Sequence, residues 1–425
     1  MTPTTTLSLD RGNYAYSPAP VRASRMRETN VENLLRLLRD HSPCSRADLV
    51  RLSGLTAPTV SAGIRTLQRR DLATSLGQGS SSGGRPPGLL EFNARHGYVV
   101  GVDVGGTSLR LALADLNGAV VGRWSSILRT ERSPKAVTDL IASGITHLSR
   151  QQKVPLKRIL QIGAGAPGAT DAAAGRVLSA PNLTGWSDVP FRDLIEGKTG
   201  IAATVENDVN LGALGEGWCG AAKNVADFIF LAIGTGIGAG VVLNRTLHHG
   251  ANWSAGEVGY MLLPGLPDEP PRTDQPGSLE SAIGGASIER AWAATRGVGQ
   301  SGTLRATDIF DLAAAGDRRA RELLHRAAEQ LAMAITNLSL VLDLSLVVLS
   351  GGVGGHPSLL EAIQKKSERN QFARPRLVTS NLGGEAQLYG AVWLALQAAE
   401  ARGFRRETLE IENKSTRGRT LVESF

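Results

Sequence analysis

The sequence predicts a small helical module of the winged helix-turn-helix kind, followed by a duplicated α/β domain whose two lobes enclose a cleft. Three observations carry this. Apolar residues recur at helical spacing up to about Leu72 and at strand spacing from Gly97 onward. A strand–glycine turn–strand pattern occurs twice in the later part, at Gly105-Gly106-Thr107 and at Gly234-Thr235-Gly236. Of the net charge of +7, residues 22–95 supply +6, from 12 Arg against 6 Asp and Glu. Such asymmetry suits a segment that neutralises phosphates, although a basic face kept only in water would look the same.

Length and composition narrow the classes. A chain of 425 residues fits two to three domains, and 42% hydrophobic residues exclude a fully disordered protein. Two cysteines, Cys44 and Cys219, make neither a disulfide framework nor a multi-cysteine zinc site. There is no apolar run of about 18 residues to span a bilayer. The start lacks a basic stretch leading into an apolar core, so no secretion signal is expected. The expectation is a cytoplasmic protein without a membrane partner.

Residues 1–22 are rich in Thr, Ser, Pro and Ala and read as a disordered arm. Val31, Leu34, Leu35 and Leu38 fall on one helical face, and Pro43 stops that helix. Ser45 and Asp48 form a capping box for a second helix, which Gly54 ends. Thr56 caps a third, with Pro58 in its first turn and Val60, Ile64 and Leu67 as its buried stripe. Its other face carries Pro58, Ala62, Arg65 and Arg69, flanked by Thr59, Ser61 and Thr66. Short side chains with a central Arg suit a helix that enters the major groove. A Gly/Ser-rich stretch, Gly77 to Gly84, precedes Arg85-Pro86-Pro87 and the strand Leu89-Leu90-Glu91-Phe92, which makes the wing. Arg85, extended by the proline after it, is placed for a minor groove. The candidate DNA contacts are Thr56, Pro58, Thr59, Ser61, Arg65 and Arg85. A helical protein-interaction module is the competing reading of residues 23–95.

In the larger part, residues 98–104 read as a strand, Gly105-Gly106-Thr107 as a turn, and Ser108 to Ala114 as a second strand. Asn117-Gly118 is a hairpin signal before a third strand. A helix is expected from Ser133 to about Gln151. A buried strand, Ile159 to Gly163, leads into Gly165-Ala166-Pro167-Gly168. Strands Phe228–Ile233 and Val241–Leu243 flank the turn Gly234 to Gly240. A late strand, Leu346 to Leu349, ends in a further turn at Gly351-Gly352 before a helix. Bare backbone amides at such turns approach phosphate or ribose closely. Asp103, Gly105, Gly106, Thr107, Gly234, Thr235, Gly236, Gly351 and Gly352 are therefore candidate nucleotide contacts, with Asp103 able to hold Mg²⁺ through water. Each turn taken alone also reads as an ordinary hairpin.

Taken in order, the motifs resemble the ROK family (repressor, open reading frame, kinase). They are Gly83-Gly84-Arg85-Pro86-Pro87, Asp103-Val104-Gly105-Gly106-Thr107, Pro181-Asn182-Leu183-Thr184-Gly185-Trp186 and Glu206-Asn207-Asp208. The series continues with Gly234 to Gly240, Gly250 with Gly256-Glu257-Val258-Gly259, and Gly277-Ser278-Leu279-Glu280. The resemblance covers about residues 25–400. It implies an actin-like ATPase (RNase H-like) fold of two lobes with a sugar between them, over residues 96–400, and a tail over 401–425. It also implies that members with an N-terminal DNA-binding domain are sugar-responsive regulators, often dimers or tetramers.

The resemblance makes Asn182, Asn207, Asp208, Glu257, Tyr260 and Glu280 the sugar-contacting set. Amides and carboxylates that converge can satisfy hydroxyls, which both donate and accept. In kinase members the residue matching Asp208 is the base that deprotonates the attacking hydroxyl. Read singly, Asn182 is a turn residue, Asn207 and Asp208 are helix caps, and Glu257 is a loop residue. Tyr260 stands where the family often has a zinc-binding His, and Leu266 to Glu280, where its cysteine-rich loop belongs, has no Cys or His. No structural zinc is expected. Adjacent His248 and His249 are expected to point apart. Ser108 stands where many kinase members have Lys.

The expected function is therefore a regulator, in repressor mode, of a double-stranded DNA operator. A sugar or sugar derivative is its effector, a homo-oligomer is its form, and no cofactor is required. The alternative is an ATP- and Mg²⁺-dependent sugar kinase with a fused DNA-binding domain and Asp208 as its base. A third reading is a DNA- or partner-binding protein with a dead cleft.

Overall fold

The structure is a computed structural model. It describes residues 23–78, 88–128, 132–180, 183, 185–267, 275–294, 304–368, 370–372 and 374–406. The arm at 1–22, the Gly83–Pro87 motif with Arg85, Asn182, residues 268–274 of the expected zinc-loop segment and the tail beyond 406 lie outside the described residues. The chain divides into two compact units, Met1–His96 and Gly97–Phe425.

The first unit is built on α1 (Ala23–His41), β1 (Cys44–Ser45), α2 (Arg46–Ser53), α3 (Ala57–Arg69), β2 (Ala73–Gln78) and β3 (Gly88–Phe92). The α1 stripe Val31, Leu34, Leu35 and Leu38 is buried against Leu49 of α2 and Val60, Ile64 and Leu67 of α3. Ser45 and Asp48 cap α2 reciprocally: the Ser45 Oγ accepts from the Asp48 amide at 3.2 Å, and Asp48 Oδ2 accepts from the Ser45 amide at 3.0 Å. Thr56 precedes α3 in extended backbone, its hydroxyl 2.9 Å from that of Thr59. The three strands pair antiparallel in the order β1-β3-β2.

The second unit repeats one strand pattern twice. The first lobe holds β4 (Tyr98–Val104), β5 (Ser108–Asp115), β6 (Val120–Ile127), α4 (Pro134–Gln151), β7 (Ile159–Ala166) and a small antiparallel sheet of β8 (Ala169–Asp171), β9 (Arg176–Ser179) and β10 (Ser187–Val189). It closes with α5 (Phe191–Thr199) and β11 (Ala203–Asn207), and its main sheet runs β11-β7-β4-β5-β6. Then come α6 (Asp208–Cys219), β12 (Phe228–Ile233), β13 (Ile237–Leu243), β14 (Thr246–Leu247), α7 (Ser278–Ile283), α8 (Gly285–Ala294), α9 (Ala306–Ala314) and α10 (Arg318–Leu342). The remainder is β15 (Leu346–Ser350), α11 (Gly351–Gly354), α12 (Pro357–Ser367), β16 (Arg376–Thr379) and α13 (Ala386–Ala401). The second sheet, β14-β13-β12-β15-β16, matches the first strand for strand: an antiparallel meander, then two parallel additions.

Two helices exchange lobes. α6 leaves the first sheet at β11 and covers β12 and β13 of the second, while α13 follows β16 and covers β4 and β7 of the first. They cross backbone to backbone. A methyl added at Gly215 would strike the Ala386 carbonyl, and one at Gly390 the Leu211 carbonyl. Glu216 of α6, fully buried, accepts from the Ala221 and Leu382 amides and the Ser380 hydroxyl, which anchors the approach to α13. The crossing places the start of α6 at the floor of the cleft between lobes.

Four expectations change. Gly238, Ala239 and Gly240 belong to β13 rather than to a turn, because Val209 and Ala213 of α6 pass directly over that strand. Gly351 and Gly352 open the four-residue α11 instead of a free turn. β7 runs through Ala166, so the turn there shrinks to Pro167-Gly168. Past α13 the chain stays packed, with Phe404 1% exposed.

Candidate functional site

Between the lobes lies a cleft of about 410 Å³. The polar residues lining it are Asn207, Asp208, Asn210, Thr235, Glu257, Tyr260, Gln275, Glu280 and Gln387, with Trp253 among its walls. A larger hollow of about 830 Å³ runs over α4 between Asp139 and Lys198, but it is open to solvent and touches none of the candidate site residues.

The start of α6 supplies the floor. Asn207 is the N-cap: its Oδ1 accepts from the Asn210 amide at 3.0 Å, and its Nδ2 donates to the Gly168 carbonyl at 2.9 Å. The same Nδ2 lies 3.2 Å from Asp208 Oδ1, which also accepts from the Val209 amide at 2.9 Å. The pKa of Asp208 is pushed up to about 7, chiefly by burial, then by the nearby Asp103 carboxylate, with Glu257 adding to it. Near neutral pH this carboxyl both donates and accepts, which matches a sugar hydroxyl.

The second lobe supplies the roof. Glu257 follows a loop that returns to β13, where the Ala239 amide donates to the Gly256 carbonyl at 2.8 Å. Its side chain opens onto the cleft but is hemmed in behind. That crowding raises its pKa, and the Glu280 carboxylate raises it further. Glu280, in the first turn of α7, accepts from the Ile237 amide at 2.8 Å. A side chain at Gly236 would come within 2.7 Å of that carboxylate and push it from its place. The Tyr260 hydroxyl donates to the Gln275 carbonyl at 3.0 Å.

The structure thus brings Asn207, Asp208, Glu257, Tyr260 and Glu280 to one cavity, together with Gly234, Thr235, Gly236 and Gly351. Asp103, Gly105, Gly106, Thr107 and Gly352 are not on its lining. Gly105 and Thr107 instead close the β4–β5 corner, through Gly105 N to Ser108 O and Leu128 N to Thr107 O, each 2.9 Å. Asp103 is buried and bound by Arg110, whose Nε and Nη2 both donate to its Oδ2, at 2.8 and 2.6 Å. Arg110 also meets Glu385 at 3.3 Å, and Arg123 meets it at 3.4 Å. A hydrated Mg²⁺ at Asp103 would share that carboxylate with a guanidinium already seated on its Oδ2. Among the described residues no group of three or more His, Cys, Asp or Glu gathers with metal-binding geometry.

Sequence reasoning passed over Arg110 and Trp253, and gave His249 no role beyond pointing away from His248. His249 does not stand idle, as its Nε2 lies 2.7 Å from Glu206 Oε2, and that partner raises its pKa. The signal for Arg110 was a charged residue in a strand with Leu at 109, 111 and 113, and for Trp253 a large aromatic in a glycine-rich loop.

On the first unit, Pro58, Ala62, Arg65 and Arg69 are exposed on α3, while Thr59 and Ser61 are half-buried beside them. Arg69 is tied back to the Thr66 hydroxyl at 3.1 Å, and Arg65 has no bonding partner among the described residues.

Residues 99–398 match the ROK family model. The glucokinase of Halalkalibacterium halodurans is 31% identical over 330 residues, covering 73% of this chain and 98% of its own. The xylose repressor of Bacillus spizizenii is 30% identical over 377 residues, covering 86% of this chain and 94% of its own. A crystal structure of a ROK family transcriptional regulator, a homologue of the Escherichia coli MLC protein, aligns with a TM-score of 0.72 at 22% identity. It covers 89% of this chain and 98% of its own, a likeness that concerns the fold.

Proposed function

This chain belongs to the ROK family, with its actin-like ATPase fold, and on that premise we propose that it is a DNA-binding transcriptional regulator. It acts as a repressor on a double-stranded operator, and a sugar in the cleft sets its affinity. The observation that carries this reading is the extent of the two alignments. The glucokinase match covers 73% of the chain, and the second unit, residues 97–425, is large enough to hold it. The repressor match covers 86%, which exceeds the second unit and must reach into the first. The first unit supports it with a helix pair, a third helix whose outer face is short side chains around Arg65, and an antiparallel hairpin that we take as the wing.

The mechanism follows from polar complementarity and linkage. Asn207, Asp208, Glu257 and Glu280 come from both lobes, so a sugar that bonds to all of them favours the closed cleft. If closure alters how a homo-oligomer presents its two DNA units, effector and operator affinities are coupled reciprocally. Footprinting on DNA flanking the gene, repeated with D-xylose and D-glucose, tests this. The expected result is protection of paired half-sites that one of these sugars weakens. Operator affinity indifferent to every sugar of a hexose and pentose panel would defeat the sensing reading.

A sugar kinase is the second reading, favoured by the 31% identity to a glucokinase and by Asp208 in the cleft. The Arg110–Asp103 pair and Ser108 argue against it. The expected outcomes are no Mg²⁺-dependent binding of a non-hydrolysable ATP analogue and no ADP release with any sugar of that panel. Turnover that Asp208→Asn abolishes would establish the kinase instead.

A further inference from the structure

Trp253 is a wall residue of the cleft outside the family motifs. It lies half-buried in the loop between β14 and Val258, facing the same space as Asp208 and Glu257. Its backbone sits at φ +58, in the left-handed region, where a bulky L residue is a genuine outlier. Such strain persists only where the surroundings over-determine it, and it clusters at ligand sites. Here the surroundings can be named. The indole meets the His249 ring edge-on, with centroids 4.9 Å apart and planes at 60°. His249 Nε2 is 2.7 Å from Glu206 Oε2. Glu206 is 3% exposed, and its other oxygen accepts from the Asn207 amide and from Asn210 Nδ2, both at 2.9 Å. One buried carboxylate therefore positions both the polar floor and the aromatic wall.

We propose that Trp253 is a stacking platform for the apolar face of an aldopyranose ring. The proposal rests on the reading of the cleft as a sugar site. A pyranose is polar at its rim and apolar on its faces. The rim suits Asn207, Asp208 and Glu257, and a face suits the electron-rich surface of an indole. In their β chairs D-glucose, D-xylose, D-mannose and D-galactose each keep at least one face whose axial positions carry only hydrogen, so all four are candidate occupants.

The test uses the full-length protein and calorimetric titration of those four sugars against the wild type, Trp253→Phe and Trp253→Gly. Glycine relieves the φ +58 backbone, so the Gly variant keeps or raises its melting temperature and a binding loss reports the ring itself. The expectation is that at least one of the four sugars binds the wild type, that Phe keeps its affinity within about threefold, and that Gly loses about tenfold or more. Unchanged affinity in Trp253→Gly overturns the platform. If none of the four binds the wild type, this inference falls, while operator control by other effectors is judged separately by the footprint.

Discussion

Replacing Asp208 by Asn removes a carboxyl whose pKa stands at about 7 in the fold against an ordinary 3.8. The sign follows from linkage. Below about pH 3.8 the group is protonated whether the chain is folded or not, and it contributes nothing. As pH rises, the unfolded chain releases the proton while the folded one holds it, so the native state loses stability until the pH passes about 7. At 1.36 kcal/mol per pH unit the ceiling of that loss is about 4 kcal/mol. Asp208 reaches water through the cleft, and solvent there relieves half or more of it. Between pH 5 and pH 8, where only part of the change occurs, the variant should gain about 1 kcal/mol relative to the wild type. Urea unfolding of both proteins in matched buffers at the two pH values measures it. A stability difference that stays flat, or that favours the wild type more at pH 8, would refute the account of a carboxyl held neutral by burial and by Asp103.

Four further outcomes are expected. Glu206 raises the His249 pKa, so that pair's stabilisation is complete below the ordinary 6.5 and is lost as pH climbs through the raised value; His249→Gln should melt further below the wild type at pH 6 than at pH 9, and equal deficits would count against the pair. Arg110→Ala leaves the buried Asp103 without its cation and should cost about 2–3 kcal/mol in denaturant unfolding, part of which Asp103→Asn in the same chain restores; an additive loss would deny the coupling. Gly390→Ala drives a methyl into the Leu211 carbonyl and should cost about 3 kcal/mol or more, whereas a loss under about 1 kcal/mol would mean the α6–α13 crossing is looser than described. Arg65→Ala should weaken operator binding evenly across sequences and lower the salt slope by about 1, as loss of a phosphate contact does; an unchanged slope with altered sequence preference would make it a base reader.

Elements whose cues are local were legible in the sequence. The capping box at Ser45 and Asp48, the stripe of α1 and the hairpin at Asn117-Gly118 depend on neighbours within a few residues, and the structure has them. The glycines of β13 misled because their reason is distant. Gly238 and Gly240 read as turn residues until α6 is laid over the sheet, and that packing joins two lobes. Arg110 was hidden for the same cause. Its partners, Asp103 on the adjacent strand and Glu385 before α13, are separated from it by 7 and 275 residues. His249 pairs with a carboxylate 43 residues earlier, and only the fold makes that pair visible.

The charges around Asp208 bear on whether the cleft senses or reacts. A carboxyl at about 7 lies close to the working pH of a general base, so its protonation alone does not separate a kinase from a sensor. A metal-bound nucleotide beside it would supply the missing positive charge and pull its pKa down. In this chain Arg110 is committed to Asp103 and shared with Glu385. Burial and the neighbouring carboxylates leave Asp208 able to donate and accept at once, next to an amide and under two further carboxylates. On the regulator reading proposed above, such a set pairs with the hydroxyls of a sugar and holds it without transfer, and the Arg110–Asp103 ion pair is the feature that separates this reading from the kinase one.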